Sequence, residues 1–191
     1  MIWDTKVTFP AYFNNARRKT DARSRVGIDA LVWLKTQHRI GAKGAVIFDI
    51  DDTILDHNEN VVRGFEEMHT LFREAFRMFQ VYVVTARPRD QHSYVMQMLD
   101  KKGFCLPPDR LYLLPTAHYG GPPELVERFK WESAEIIRKE AGRVIGRFGD
   151  KLWDVAALAK LHAELAHVKD TDTYCYMDES CVYASKLPGA G

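Results

Sequence analysis

Residues 45–56 read Ala45-Val46-Ile47-Phe48-Asp49-Ile50-Asp51-Asp52-Thr53-Ile54-Leu55-Asp56, an apolar run that stops abruptly in carboxylates. Asp49 and Asp51 are two positions apart, so in extended backbone they face one side while Asp52 faces the other. Two carboxylates at one strand end repel and raise each other's pKa. A divalent cation offsets that cost, and hard oxygen ligands suit Mg²⁺. The plainer reading of an isolated Asp-x-Asp is an acidic turn after a core strand.

Other polar groups stand at comparable places. Thr85 closes the run Val81-Tyr82-Val83-Val84 and is followed by Ala86-Arg87-Pro88. Gly149-Asp150 closes the run Arg143–Phe148, with Asp154 four positions further on. Lys130 lies in a helical pattern between them. Each has an ordinary structural role as well. Thr85 serves as a helix cap or turn residue, and Asp154 as an N-cap. Lys130 serves as solvated helix surface beside Arg128, Arg138 and Lys139.

The elements that must position these groups follow from periodicity. Val46–Phe48, Val81–Val84, Leu111–Leu114 and Arg143–Phe148 read as strands. Helical spacing covers about 59–79, 89–102, 124–140 and 155–166, and an earlier helix starts at Asp21 or Ser24 and runs to His38. Tyr174–Met177 reads as a short edge strand, and residues 1–20 as irregular and aromatic, wrapping the domain or roofing part of the site. Strands alternating with helices imply an α/β fold: a Rossmann-like, doubly wound parallel sheet with helices on both faces. In such sheets ligands sit at the carboxyl ends of the strands, where Asp49, Thr85 and Asp150 all fall.

The bulk properties narrow the field. A length of 191 residues implies one domain, 1–191, with an N-terminal segment and helix over 1–44 and a core over 45–191. A net charge of +1 argues weakly against a general nucleic-acid binder. The basic cluster Arg17, Arg18, Lys19, Arg23 and Arg25 is either an anion contact or a solvated helix face. No stretch approaches the ~18 apolar residues of a membrane helix, and the N-terminus lacks a signal-peptide core. The 3 scattered cysteines favour reduced thiols and a cytoplasmic setting.

Asp49-x-Asp51-x-Thr53 after an apolar strand resembles the first motif of the haloacid dehalogenase (HAD) superfamily. Val84-Thr85-Ala86-Arg87-Pro88 looks like its second motif, Lys130 like its third, and Gly149-Asp150-x-x-x-Asp154 like its fourth, in the family's order and over roughly residues 45–190. The last pattern, with Lys186-Leu187-Pro188, is most similar to the plant and bacterial class B-like acid phosphatases (subfamily IIIB). Those proteins are commonly secreted, whereas no signal peptide is read at this N-terminus.

The resemblance implies a Mg²⁺-dependent phosphomonoester hydrolase. Asp49 is then the nucleophile that forms an aspartyl-phosphate, and Asp51 the general acid and base. Thr85 and Lys130 bind the phosphoryl group. Arg87 either orients its loop or reaches the phosphate. Mg²⁺ is held by Asp49, Asp150 and the main-chain carbonyl of Asp51, while Asp154 binds a metal water or holds Lys130. Lys151 is a weaker alternative to Lys130. Asp51 argues against a haloalkanoate dehalogenase. The segments between motifs leave no room for a globular cap, so an open site, shielded in part by the His118–Gly121 loop, is expected. It would take a phosphorylated small molecule or an exposed phosphate on a larger one, with no membrane partner. Two alternatives stand beside this: a nucleotidase or nucleic-acid end phosphatase, and a non-catalytic binding or storage protein.

Overall fold

The computed structural model describes residues 6–8, 16–56, 66–155, 174–177 and 183–186. Seven strands form one sheet in the order β1-β6-β7-β5-β2-β3-β4. These are β1 (Lys6–Thr8), β2 (Ala45–Phe48), β3 (Gln80–Pro88), β4 (Leu111–Leu114), β5 (Val144–Gly149), β6 (Tyr174–Met177) and β7 (Tyr183–Lys186). Strands β4, β3, β2, β5 and β7 are parallel neighbours. β6 runs antiparallel to β7, and β1 antiparallel to β6. The parallel sheet is as expected from the sequence, and its far edge is mixed.

The helices are α1 (Ala16–Arg39), α2 (Glu66–Met78), α3 (His92–Lys101), α4 (Pro123–Ala141) and α5 (Leu152–Val155). Side-chain alternation along the strands sorts them into two layers. Val46 and Phe48 of β2 join Val81 and Val83 of β3 in a core with Leu34 of α1, Leu71 and Phe72 of α2, and Leu99 of α3. Ala45 and Ile47 join Tyr82 and Val84 in a second core with Ala134 and Ile137 of α4. Helices thus cover both faces, and β2 is buried on both, which is why its sequence is a continuous apolar run.

Several boundaries differ from expectation. α1 begins at Ala16, ahead of Asp21 and Ser24; its first residues are polar but include Ala, Arg and Lys, strong helix formers that an apolar periodicity does not detect. β1 occupies part of the segment read as irregular. β6 is an interior strand with β1 and β7 on its two sides, not an edge. β3 runs on through Thr85 to Pro88, with a register irregularity between those two residues. Residues preceding proline favour extended backbone, which prolongs the strand. Lys186 ends β7, while Leu187 and Pro188 lie outside the described residues. So do His57, the first part (59–65) of the helix expected over 59–79, most of the helix expected over 155–166, and the side chains of the Arg17–Arg25 cluster and of Cys175 and Cys181. Among the described residues no helix is long and apolar enough to cross a membrane, and none of the segments between the site residues forms a separate cap.

Candidate active site

Asp49 lies one residue beyond β2, in phase with Ala45 and Ile47 and therefore on the α4 face. Its N–H donates to the Phe148 carbonyl at 2.9 Å, carrying the ladder one residue past the strand. From α4, Lys130 meets it: Nζ donates to Asp49 Oδ1 at 2.6 Å and to the Val84 carbonyl at 2.6 Å. Asp154 Oδ1 also lies 2.6 Å from Nζ, an ionic contact outside hydrogen-bond angles. Lys130 is 3% exposed, so the solvated-surface reading does not hold.

Asp150 and Asp154 come from the loop after β5. Asp154 is not the N-cap of α5. It sits at the third helical position and reaches back, Oδ2 accepting the Lys151 N–H at 3.0 Å, half of a capping box. Gly149 makes this possible by close approach: a Cβ there would stand 2.0 Å from Asp154 Cβ. Asp49, Asp150 and Asp154 are all buried and bring carboxylate oxygens within 4.8 Å of one another. Lys151, the alternative cation, places Nζ 3.5 Å from Asp150 Oδ2 but is one-third exposed.

Asp51 is not part of this carboxylate group. The backbone leaves the extended form after Asp49: Thr53, Ile54 and Leu55 all donate to the Ile50 carbonyl, and Asp52 takes a positive φ of 55°. Strand alternation therefore does not carry on to residue 51. The carboxylates grouped with Asp49 are those of Asp150 and Asp154; Asp51 still acts on Asp49 through its charge and is held by Arg87. Arg87 Nη2 donates to Oδ1 at 2.7 Å and Nε to Oδ2 at 3.1 Å. Thr85 is fully buried; its hydroxyl accepts the Arg87 N–H at 3.3 Å, and its neighbour Val84 supplies the carbonyl that holds Lys130. Sequence reasoning did not anticipate that carbonyl or the Arg87–Asp51 fork. The only signal for the fork was an arginine two residues past Thr85.

No family model and no curated relative matches the sequence. Solved structures do match in fold. One is the class C acid phosphatase from Bacillus anthracis with tungstate bound: TM-score 0.62 and 12% identity over 93% of this chain and 81% of that one. A second structure of the class C acid phosphatase from Bacillus anthracis gives TM-score 0.58 and 13% identity over the same shares. The chain thus shares the fold of these acid phosphatases.

The electrostatics of the site bear on whether it suits a cation. Burial raises the Asp49 pKa well above the ordinary carboxylate value; Lys130 pulls it down, and Asp154, Asp150 and Asp51 push it up again. Burial pushes Asp150 up to about 6, with Asp154 adding to the effect. Burial works against the Lys130 ammonium, but Asp154 and Asp49 outweigh it, so its pKa is raised and it stays charged. Three buried carboxylates thus face one fully buried ammonium. The remaining negative charge, on hard oxygen donors, is suited to a divalent ion such as Mg²⁺.

Proposed function

We propose that the protein is a Mg²⁺-dependent phosphomonoesterase that works through an aspartyl-phosphate on Asp49. The observation that carries the reading is Asp49 itself. It is buried at the carboxyl end of a central parallel strand, in contact with Lys130 and grouped with Asp150 and Asp154. The likeness in fold to acid phosphatases, one of them holding tungstate, supports the same reading. The finer placement with the class B-like group rests on the sequence patterns alone, while the solved structures of similar fold carry the class C name.

In the first step an Asp49 oxygen attacks phosphorus and the ester P–O bond breaks. The leaving oxygen takes its electron pair and a proton from Asp51. In the second step water attacks the same phosphorus. Asp51 takes the water proton, the Asp49–phosphorus bond breaks, and phosphate leaves. Lys130 keeps one charge-neutralising contact on Asp49 throughout, and Thr85 presents its hydroxyl to a phosphoryl oxygen. Asp49, Asp150 and the Asp51 carbonyl would hold Mg²⁺, with Asp154 alongside. Mg²⁺ supplies screening of the carboxylates and of the phosphoryl charge. With no cap over the site among the described residues, the substrate is a phosphate ester of a small molecule or one exposed on a larger molecule.

Hydrolysis of p-nitrophenyl phosphate by wild type, with Mg²⁺ and with EDTA, beside Asp49→Asn, tests this. Turnover that requires the metal and vanishes in the variant is expected. Substantial turnover by Asp49→Asn would sink the scheme.

A further inference from the structure

We propose that Arg87 is a positioning residue for proton transfer, fixing the carboxylate of Asp51 rather than binding the phosphoryl group. This inference rests on the phosphatase reading above. Asp51 sits on a turn, not on a strand, and its side chain is 42% exposed. A carboxylate so placed has nothing in its own backbone to hold one rotamer. Arg87 supplies that restraint with two donors, one to each oxygen, a planar fork that a lysine cannot reproduce.

The fork is itself aimed by local structure. Between Thr85 and Pro88 the β3–β4 register slips, and irregularities of this kind re-aim a side chain. The Arg87 N–H is anchored on the Thr85 hydroxyl, Pro88 fixes the following backbone, and the Arg87 side chain is only 13% exposed. Each Asp51 oxygen keeps a lone pair beyond the one Arg87 uses. Asp51 therefore still has a place for the proton that passes to the leaving oxygen as the P–O bond breaks, and later for the proton taken from water.

A positioning role has a signature that phosphate binding lacks. Esters with a poor leaving group need the proton; p-nitrophenyl phosphate needs it little. The test measures kcat, KM and inhibition by inorganic phosphate for wild type, Arg87→Ala, Arg87→Lys and Asp51→Asn, and for Arg87→Ala combined with Asp51→Asn. The substrates are p-nitrophenyl phosphate and an alkyl phosphate, glycerol 2-phosphate. Arg87→Ala is expected to lower kcat/KM, which reports formation of the aspartyl-phosphate, by about 10²-fold on the alkyl ester, with at most a few-fold loss of kcat/KM on p-nitrophenyl phosphate and unchanged phosphate inhibition. In the Asp51→Asn background the same change is expected to add nothing. Free guanidinium is expected to restore part of the alkyl activity. Should Arg87→Ala misfold by circular dichroism, Arg87→Lys carries the same comparison. An equal loss of kcat/KM on both esters, a weakened phosphate inhibition, or multiplying effects in the double variant would overturn the role of Arg87 while leaving the phosphatase intact. A wild type inert on both esters with Mg²⁺ would overturn the phosphatase reading and this inference with it.

Discussion

Lys130 is the residue on which charge balance in the site turns. It touches Asp49, Asp154 and the Val84 carbonyl at once. Replacing it with Met leaves two buried carboxylates without their cation, and breaking a buried pair in this way costs about 3–5 kcal/mol. Lys130→Met should therefore lower the thermal midpoint in calorimetry and cut kcat by on the order of 10²-fold or more. Gly149 is as exacting for a steric reason. Gly149→Ala places its methyl on Asp154, so Asp154 must leave Lys130. Loss of Mg²⁺ affinity by titration calorimetry, together with loss of turnover, is the expected outcome. Asp49, Asp150 and Asp154 were legible in the sequence because strand ends and short loops fix their positions locally. The Asp51–Arg87 contact was not, because it joins two turns whose shapes depend on a register slip and on hydrogen bonds to Ile50, neither of which is written in periodicity.

At the scale of elements, the same contrast explains which strands could be read. β2, β3 and β4 carry their own apolar runs, which mark them as buried strands by periodicity alone. β1 and β7 are short and have no such run; their pairing is decided by partners far away in sequence, Lys6 opposite Tyr176 and Tyr183 opposite Gly146. The α1–α2 contact sets a third test. A Cβ on Gly27 would lie 2.8 Å from Glu67 Cβ, close to the α2 backbone, which a side-chain rotation cannot relieve. Gly27→Val should push the two helices apart at a cost of about 1–3 kcal/mol. A chain of this size loses about 2–4 °C of Tm per kcal/mol. Differential scanning calorimetry reads that loss, and kcat on p-nitrophenyl phosphate should hold, since Gly27 touches α2 and not the site.

For the whole molecule the buried carboxylates predict how stability follows pH. The folded Asp150 has its pKa raised from 3.8 to about 6, so the native state binds its proton more tightly than the unfolded chain. Between those two values stability falls as pH rises, and above about 6 the cost is fully present, on the order of 3 kcal/mol. Asp49 acts in the same direction. Lys130 works only in the alkaline range: its stabilising contribution is present below 10.5 and lost as pH climbs past its raised value. Denaturant titrations in EDTA should therefore show a less stable protein at pH 7 than at pH 5. On the proposed function Mg²⁺ should reverse that order, because it would bind the ionised carboxylates of the native state and stabilise it by mass action. An EDTA profile flat between pH 4 and 7 would count against the buried carboxylate group.

The pairing of β1 with β6 sets a timetable for synthesis. Thr8 leaves the ribosome about 165 residues before its partner Tyr174, on the order of ten to thirty seconds earlier at ~5–20 residues per second. Tyr183 follows Gly149 by 34 residues, and over that stretch β5, with Asp150 just past its end, waits for a neighbour β7 that does not yet exist. The nascent chain thus displays an open sheet edge beside its most highly charged buried group. Open edges of this kind recruit other strands, so the yield of active protein should depend on how quickly the last two strands arrive and on what shields that edge until they do.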